Sequence, residues 1–250
     1  MKKTIVALSV VLLAAAVCCR AQQDDYLPAE QTLWLKLSTK DSKAWQYLQL
    51  WRDGAVLVHN EAKKSALTRK GTLRPSQAES FFRAINESAV FEGGVRYRRY
   101  EDMASLELLE LSAYRHGELR YARMPLALLE TGIKKQLAEI KNAADKMPPS
   151  RTAQYFLLAE PLARDAVSRE EYGMGHVVKF SKMETAALED FQPLAEAVYK
   201  PRRLMELPDK KDAELLKAFI SKRKIKDYGG YFYLDLPRGK FKVQLLNANK

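Results

Sequence analysis

Residues 44–59 read AWQYLQLWRDGAVLVH, and this stretch decides the fold. Two apolar runs flank the dipeptide Asp53-Gly54. Asp-Gly between apolar runs is a strong local signal for a β-hairpin, because both residues tolerate the positive φ of tight hairpin turns. The stretch therefore predicts two antiparallel strands joined by a short turn.

On both sides of this hairpin, segments whose apolar residues recur at every second position alternate with segments whose apolar residues recur at helical spacing. The period-two patterns predict strands at residues 31–38, 69–73, 106–114, 118–124, 155–159, 177–180, 231–236 and 240–246. The helical patterns predict amphipathic helices with apolar faces at residues 78–89, 126–144, 187–198 and 215–220. Ser76 with Glu79 and Ser181 with Glu184 have the spacing of capping boxes, and Asp209 can cap the last helix. Together these patterns predict an α+β fold in which amphipathic helices cover antiparallel β-hairpins.

A break in the middle of the chain predicts two subdomains. Residues 147–150 contain two adjacent prolines, which cannot continue a helix. We expect one α+β domain or subdomain at residues 31–146 and a second at residues 150–250. Residues 82–87 and 191–196 share a Phe, an apolar residue three positions later and a Glu five positions later. This match suggests two related halves, although any two amphipathic helices can share such features.

The first 21 residues have the form of a secretory signal peptide. Lys2 and Lys3 precede a weakly polar run of 14 residues, and Ala21 places a small residue at the cleavage position. The run is shorter than the roughly 20 apolar residues that span a bilayer. We expect export, cleavage near Ala21, a flexible N-terminus at residues 22–30 and a periplasmic or secreted product. No later stretch reaches spanning length, so we expect no transmembrane segment in the mature chain.

Both cysteines of the chain lie in this leader. Cleavage would remove Cys18 and Cys19 and leave no disulfide and no thiolate chemistry. It would also remove Lys2, Lys3 and Arg20, which leaves 39 basic against 31 acidic residues and a net charge of +8. A protein that is lipid-anchored through Cys18 or Cys19 is the alternative, although the preceding residues fit the lipidation pattern poorly.

The sequence lacks the motifs of the common catalysts. It contains no G-x-S-x-G elbow and no phosphate-binding loop, and its three histidines are far apart. We therefore expect a non-enzymatic protein with no metal and no cofactor. The alternative is a hydrolase that acts on envelope polymers through residues 164–176. In that stretch Glu170, Glu171 and His176 supply groups for acid–base chemistry.

Basic residues beside tyrosines favour a binding role. Two basic clusters lie at residues 200–203 and 222–226, and the densest run is the pentapeptide Arg96, Tyr97, Arg98, Arg99 and Tyr100. Arginine can contact an anion while the neighbouring ring stacks on the ligand. Export argues against nucleic acid, which leaves envelope proteins, anionic polymers and lipid head groups as partners. The sequence thus predicts an exported interaction module of a bacterial envelope.

An aromatic strip supports a further alternative, a carbohydrate-binding module. Trp45, Tyr47 and Trp51 share one face of the strand at residues 44–51, while leucines occupy the other face. An exposed strip of this kind can stack on sugar rings. The opposing interpretation is that the strip packs beneath the amphipathic helices.

Overall fold

The computed structural model describes residues 32–38, 44–62, 64–91, 107–115, 118–162 and 179–250. The predictions for residues 1–30, for residues 96–100 and for residues 164–176 lie outside these ranges. Within them the chain has an α+β fold, as the sequence predicts. No helix in the described ranges combines the length and the apolar character needed to cross a bilayer.

The first sheet has six described strands, all paired antiparallel in the order β4-β3-β2-β1-β5-β6. They are β1 Thr32–Ser38, β2 Ala44–Trp51, β3 Ala55–Ala62, β4 Ser65–Thr72, β5 Leu108–Arg115 and β6 Glu118–Pro125. The predicted hairpin is confirmed between β2 and β3. Gly54 has a φ of 92°, and a Cβ at this position would lie 2.6 Å from the carbonyl oxygen of Leu73. The turn therefore requires glycine on both conformational and steric grounds.

Two helices cover one face of the first sheet, α1 Pro75–Glu87 and α2 Thr131–Asp145. Alternate residues of the central strands point toward these helices, as period-two alternation requires. The resulting core includes Leu48, Leu50, Val56, Val58, Phe81, Ile85, Ile133, Leu137 and Ile140. Both helices are thus held by the apolar faces that their sequence pattern predicts.

The second sheet has five described strands in the order β8-β10-β11-β7-β9. They are β7 Tyr155–Leu162, β8 Ser181–Lys182, β9 Met205–Leu207, β10 Tyr231–Leu236 and β11 Gly239–Asn247. Only β8 and β10 pair in parallel among these strands. The helices α3 Gln192–Tyr199 and α4 Lys210–Lys222 cover one face. Their core includes Leu157, Ala159, Leu194, Val198, Leu216, Phe219, Phe232 and Leu234.

The two sheets pack against each other through the faces that carry no helices. This contact, which we call the seam, has a buried apolar cluster of Tyr47, Leu57, Ala153, Phe156, Leu158, Leu204, Leu246 and Ala248. Strands β2, β3 and β7 are therefore buried on both faces, which explains why apolar residues occupy both of their alternating positions. The described molecule has four layers in the order helix, sheet, sheet, helix.

Polar contacts between the two halves fix the seam. The backbone N–H of Leu204 donates to the Gln49 side chain over 2.9 Å. Lys70 on β4 forms an ion pair with Glu206 on β9. The N–H of Lys250 donates to the Ala66 carbonyl oxygen over 2.9 Å, which bonds residue 250 to the outer edge of β4. The buried bond between Leu204 and Gln49 satisfies polar groups that would otherwise be costly to bury.

Two predicted capping boxes are wrong. Arg74 precedes α1 with no side-chain cap, because Pro75 begins this helix with its φ already fixed near the helical value. Glu79 instead forms an ion pair with Arg52 over 3.1 Å. Ser181 lies in strand β8. The sequence predicts a strand at residues 177–180, but residues 179–180, which are the described part of that range, precede β8 and belong to no strand. Asp209 does cap α4, where Asp212 accepts a hydrogen bond from its backbone N–H.

The start of α2 and one inward position of α4 also differ from prediction. Pro125 closes strand β6, and Leu126–Leu128 forms a short 3₁₀ turn, so α2 begins only at Thr131. Leu129 of the predicted apolar face is buried although it precedes α2, and Leu128, outside that face, is 66% exposed. In α4 the residue Leu215 is 48% exposed, and Ala213 faces the core in its place. The first difference follows from the late start of α2, whereas α4 begins after its predicted cap and its helical period places Ala213, Leu216 and Phe219 on the buried face.

Candidate functional site

The aromatic strip of β2 belongs to the seam. Tyr47 is 2% exposed, and its ring stacks on His59 with a centroid distance of 5.9 Å. Trp45 and Trp51 are half-buried and pack against the same apolar cluster. The second sheet covers the strip, so the expectation that it packs beneath the helices is wrong. Because the Tyr47 ring is enclosed, the strip as a whole has no open face for stacking on a sugar.

His59 is the one histidine within the described residues, and it is fully buried at the seam. The Thr68 hydroxyl donates to the Ala248 carbonyl oxygen, so Nδ1 of His59 must donate to Thr68 Oγ1 over 3.0 Å. Nε2 then carries no proton, and it is buried without a hydrogen-bond partner among the described residues. Burial lowers the pKa of His59 to about 4. A neutral imidazole in this position is a structural group.

Three cations of the basic clusters at residues 200–203 and 222–226 make contacts within the chain. Arg202 lies with its guanidinium 3.5 Å from the centre of the Tyr121 ring and 3.7 Å from Glu110. Burial raises the pKa of Tyr121, and the neighbouring Glu110 carboxylate raises this pKa further. Lys222 and Arg223 both pair with Asp190. Arg202 is therefore enclosed by its contacts, whereas Lys222 remains largely exposed beside Asp190.

A second aromatic cluster lies on the second sheet, on the same face as the seam. Tyr231 and Tyr233 alternate along β10 with Phe232 and Leu234, which point into the helix-covered core. Ring contacts with centroid distances of 5.4–5.9 Å join Phe180, Tyr228, Tyr231 and Tyr233. The rings of Tyr228 and Tyr231 are nearly parallel, at 13°. Strand β10 is separated from the seam strand β7 by β11, so this cluster lies to one side of the seam.

A tight turn places the Tyr228 ring in this cluster. One carboxylate oxygen of Asp227 accepts hydrogen bonds from the N–H groups of Gly229 and Gly230, both over 3.0 Å. The two glycines have φ values of 84° and 107°, which residues that carry a side chain rarely adopt. The Tyr228 hydroxyl also accepts a hydrogen bond from the backbone N–H of Lys179. The sequence DYGG therefore holds this ring in a defined position.

Three lysine ammonium groups lie over rings of the cluster. Lys226 lies over Tyr228 at 5.0 Å, Lys242 over Tyr231 at 4.6 Å and Lys240 over Phe180 at 4.5 Å. These separations fall within the range of cation–π interactions. We call the four rings and three lysines together the tyrosine–lysine patch. The ring contacts position all three ammonium groups, and two of the three lysines, Lys226 and Lys240, are exposed to solvent.

Two carboxylates lie in register with the lysines of the patch. Asp235 pairs across the strands with Lys240, and Glu160 pairs with Lys242. Glu160 is buried and accepts a hydrogen bond from Gln244 over 3.1 Å. Of the two carboxylates only Asp235 is partly exposed, beside Lys240, while Lys226 and Lys240 are the exposed cations of the patch.

The metal-ligating side chains of the described residues are dispersed. No group of three or more His, Cys, Asp or Glu side chains with the arrangement of a metal site occurs among them. The residues of the hydrolase hypothesis, at 164–176, and the predicted basic pentapeptide, at 96–100, lie outside the described ranges. The structure therefore brings together a different binding candidate from the one that the sequence predicts.

The chain matches no protein-family model, and no curated protein or solved structure shows significant similarity to it. The fold and the patch therefore stand on their own geometry. One sequence signal does point to the patch. Tyrosines at 231 and 233 and lysines at 240 and 242 repeat with period two on two strands of one hairpin. Sequence reasoning missed it because the charge density is lower there than in the pentapeptide.

Proposed function

We propose that this protein is an exported, non-enzymatic binding module of a bacterial envelope that holds a polyanion on the tyrosine–lysine patch. The observation that carries the proposal is that three lysines each lie over a ring of one contacting aromatic cluster. A cation held by a ring has less conformational freedom to lose when a ligand binds. The patch is thus preorganised for anionic groups.

The spacing of the lysines favours an extended polymer over a single small anion. Lys240 and Lys242 are two residues apart on one face of β11, which separates them by about 7 Å along the strand. Lys226 adds a third cation beside Tyr228. A polymer with repeating carboxylate or phosphate groups can contact all three at once, and the net charge of +8 of the cleaved chain assists its approach.

The test compares neutralised variants for binding to polygalacturonate, a soluble polyuronate. We expect K240Q/K242Q to bind at least about tenfold more weakly than the wild type, because each lost ion contact also reduces counterion release. The matched control is K210Q/K211Q, which removes the same charge from two exposed lysines at the start of α4. This control should bind within about twofold of the wild type.

Three results would contradict the proposal. Equal loss in the two double variants would mean that only net charge matters. Binding that is unchanged by K240Q/K242Q would place the polyanion elsewhere. Binding only to vesicles that contain phosphatidylglycerol, and not to the polyuronate, would identify a membrane surface as the partner.

Export is part of the same proposal and has its own measurement. We expect the mature chain to begin after Ala21, as the charged start and the short apolar run indicate. Mass spectrometry of the protein from envelope and culture-medium fractions distinguishes this from the alternative. A mass that includes a lipid on Cys18 or Cys19 would establish anchoring instead of a free periplasmic or secreted chain.

A further inference from the structure

Residues 248–250, which follow β11, lie along the outer edge of β4, and we call them the strap. The N–H of Ala66 donates to the Lys250 carbonyl oxygen over 3.3 Å, and the Lys250 N–H donates back to Ala66 over 2.9 Å. The Asn249 side chain accepts a hydrogen bond from the Thr68 N–H over 3.1 Å. The strap thereby satisfies backbone groups of an edge strand that could otherwise pair with a further strand.

The first residue of the strap is buried beside His59. Ala248 belongs to the apolar cluster of the seam, and its N–H donates to the Gln154 carbonyl oxygen over 2.9 Å. The carbonyl oxygen of Ala248 accepts the Thr68 hydroxyl, which in turn accepts the Nδ1–H of His59. A chain of two hydrogen bonds therefore joins the imidazole to the strap through Thr68.

The second ring nitrogen of His59 has no acceptor for a proton. Nε2 is buried and has no hydrogen-bond partner among the described residues. The uncharged rings of Tyr47 on β2 and Phe156 on β7 contact the imidazole at centroid distances of 5.9 Å and 5.3 Å. A proton on Nε2 would create a buried cation without a partner, and this is costly unless water reaches the ring.

Charged groups on the elements around His59 do not supply that partner. On this side of the sheets the described ones are Glu61 of β3, Lys70 of β4, Glu160 of β7, Glu206 of β9, Lys240 and Lys242 of β11 and Lys250 of the strap. None of them is a hydrogen-bond partner of Nε2. Lys70 pairs with Glu206, and Glu160 accepts a hydrogen bond from Gln244. An imidazolium in the closed structure would thus have no counter-ion among the described residues.

We propose that the strap is acid-sensitive: protonation of His59 favours a conformation in which residues 248–250 leave β4 and water reaches the imidazole. The ladder between β7 and β11 ends at the pair of Asn247 with Tyr155, so the strap can leave without breaking that ladder. Opening therefore costs less than separating the two sheets. It also uncovers the backbone groups of Ala66 and Thr68, which can then pair with an extended strand of another chain.

The direction of the effect follows from where the proton binds more tightly. Burial lowers the pKa of His59 to about 4, whereas a hydrated imidazole keeps a pKa near 6.5. The open conformation therefore binds the proton more readily between these values, and acidification favours opening. From pH 7 to pH 5 the ratio of open to closed molecules should rise about twentyfold.

The experiment is hydrogen exchange of the full chain, followed by NMR at pH 7 and pH 5 and corrected for the intrinsic exchange rates. We expect the protection of the Ala66, Thr68, Ala248 and Lys250 amides to fall about twentyfold at pH 5. At both pH values it should stay below the protection of the amides in α1, because the strap opens locally.

Two results of this measurement would overturn the proposal. Strap protection that does not change with pH would mean that opening leaves His59 dry. Strap protection equal to that of α1 at both pH values would mean that only global unfolding exposes these amides.

Matched variants assign the effect to His59 and to its link with the strap. His59→Gln should keep strap protection within about twofold between pH 7 and pH 5, because no group with a pKa in this window is then uncovered. A His59→Gln protein that retains the full pH dependence would contradict the proposal.

Thr68→Val tests the link independently, and it covers the case in which His59→Gln does not fold. This variant keeps the branched shape but removes the hydroxyl between His59 and Ala248. Strap protection at pH 7 should therefore fall about fivefold. Unchanged protection would contradict the link. The strap shares no residue with the tyrosine–lysine patch, so K240Q/K242Q should retain the pH dependence of the wild type.

Discussion

The seam and the tyrosine–lysine patch are two aromatic clusters on one face of the second sheet, and they differ in what covers them. At the seam, Phe156 meets His59 with ring centroids 5.3 Å apart, and the first sheet removes both from water. At the patch, lysines lie over Tyr228, Tyr231 and Phe180, whereas Tyr233 is 2% exposed. Aromatic rings are therefore enclosed by the opposing sheet at the seam, whereas three of the four rings of the patch lie beneath charged groups.

Deleting a seam ring should have the largest effect on stability. Phe156 is fully buried, so Phe156→Ala should lower the free energy of unfolding by about 3–5 kcal/mol through lost burial and a residual cavity. Urea unfolding measured by circular dichroism gives this value. Phe156→Leu is the control and should lose less than half as much. A loss below about 1 kcal/mol for Phe156→Ala would mean that the two sheets do not pack tightly in solution.

Acid should weaken the seam through His59. Its pKa falls from 6.5 to about 4 on folding, so the unfolded chain binds the proton more readily between these values. Stability should therefore be full above pH 6.5 and decline as the pH falls toward 4, by up to about 3 kcal/mol.

The control for this prediction is His59→Gln, which has no group that titrates in this window. Unfolding free energies measured at pH 7 and pH 4.5 should differ less in the variant than in the wild type. An equal pH dependence in both proteins would assign the effect to other groups.

Arg202 joins the two halves beside the seam, and its loss should have a smaller effect. Arg202→Met leaves Glu110 with one fewer partner and removes the cation from the Tyr121 ring. We expect a loss of about 2–3 kcal/mol in chemical denaturation, because a buried charge is costly without its partner. Arg202→Lys keeps the charge but not the planar stacking, so it should lose about half as much. A neutral result for Arg202→Met would mean that solvent screens this group.

Substitutions in the patch should change the free energy of unfolding only slightly. Lys242→Ala removes one cation–π contact at a partly exposed site, so the unfolding free energy should change by no more than about 1 kcal/mol. The same variant should bind polygalacturonate more weakly than the wild type. If Lys242→Ala destabilised the fold as much as Phe156→Ala, the patch would be a second structural cluster, and the seam and the patch would not differ in their contribution to stability.

Local patterns were sufficient for most of the secondary structure. The Asp53-Gly54 turn, the strands on either side and the apolar face of α1 follow from spacing alone, because each depends on neighbours along the chain. The capping boxes failed where a proline or a strand pairing took precedence over a side-chain cap. The start of α2 failed for the same reason, since Pro125 pairs with Leu108 at the end of β6.

The sequence by itself determined that the chain folds as α+β, with helices on antiparallel strands and apolar residues on both faces of β2. It could not determine which sheet would cover the Trp45 and Tyr47 face, since that depends on contacts between residues more than a hundred positions apart. It also could not distinguish Tyr47 from Tyr231. Both alternate with apolar residues in a strand, and only the packing of the first sheet on the second buries one ring and leaves the other beneath a lysine.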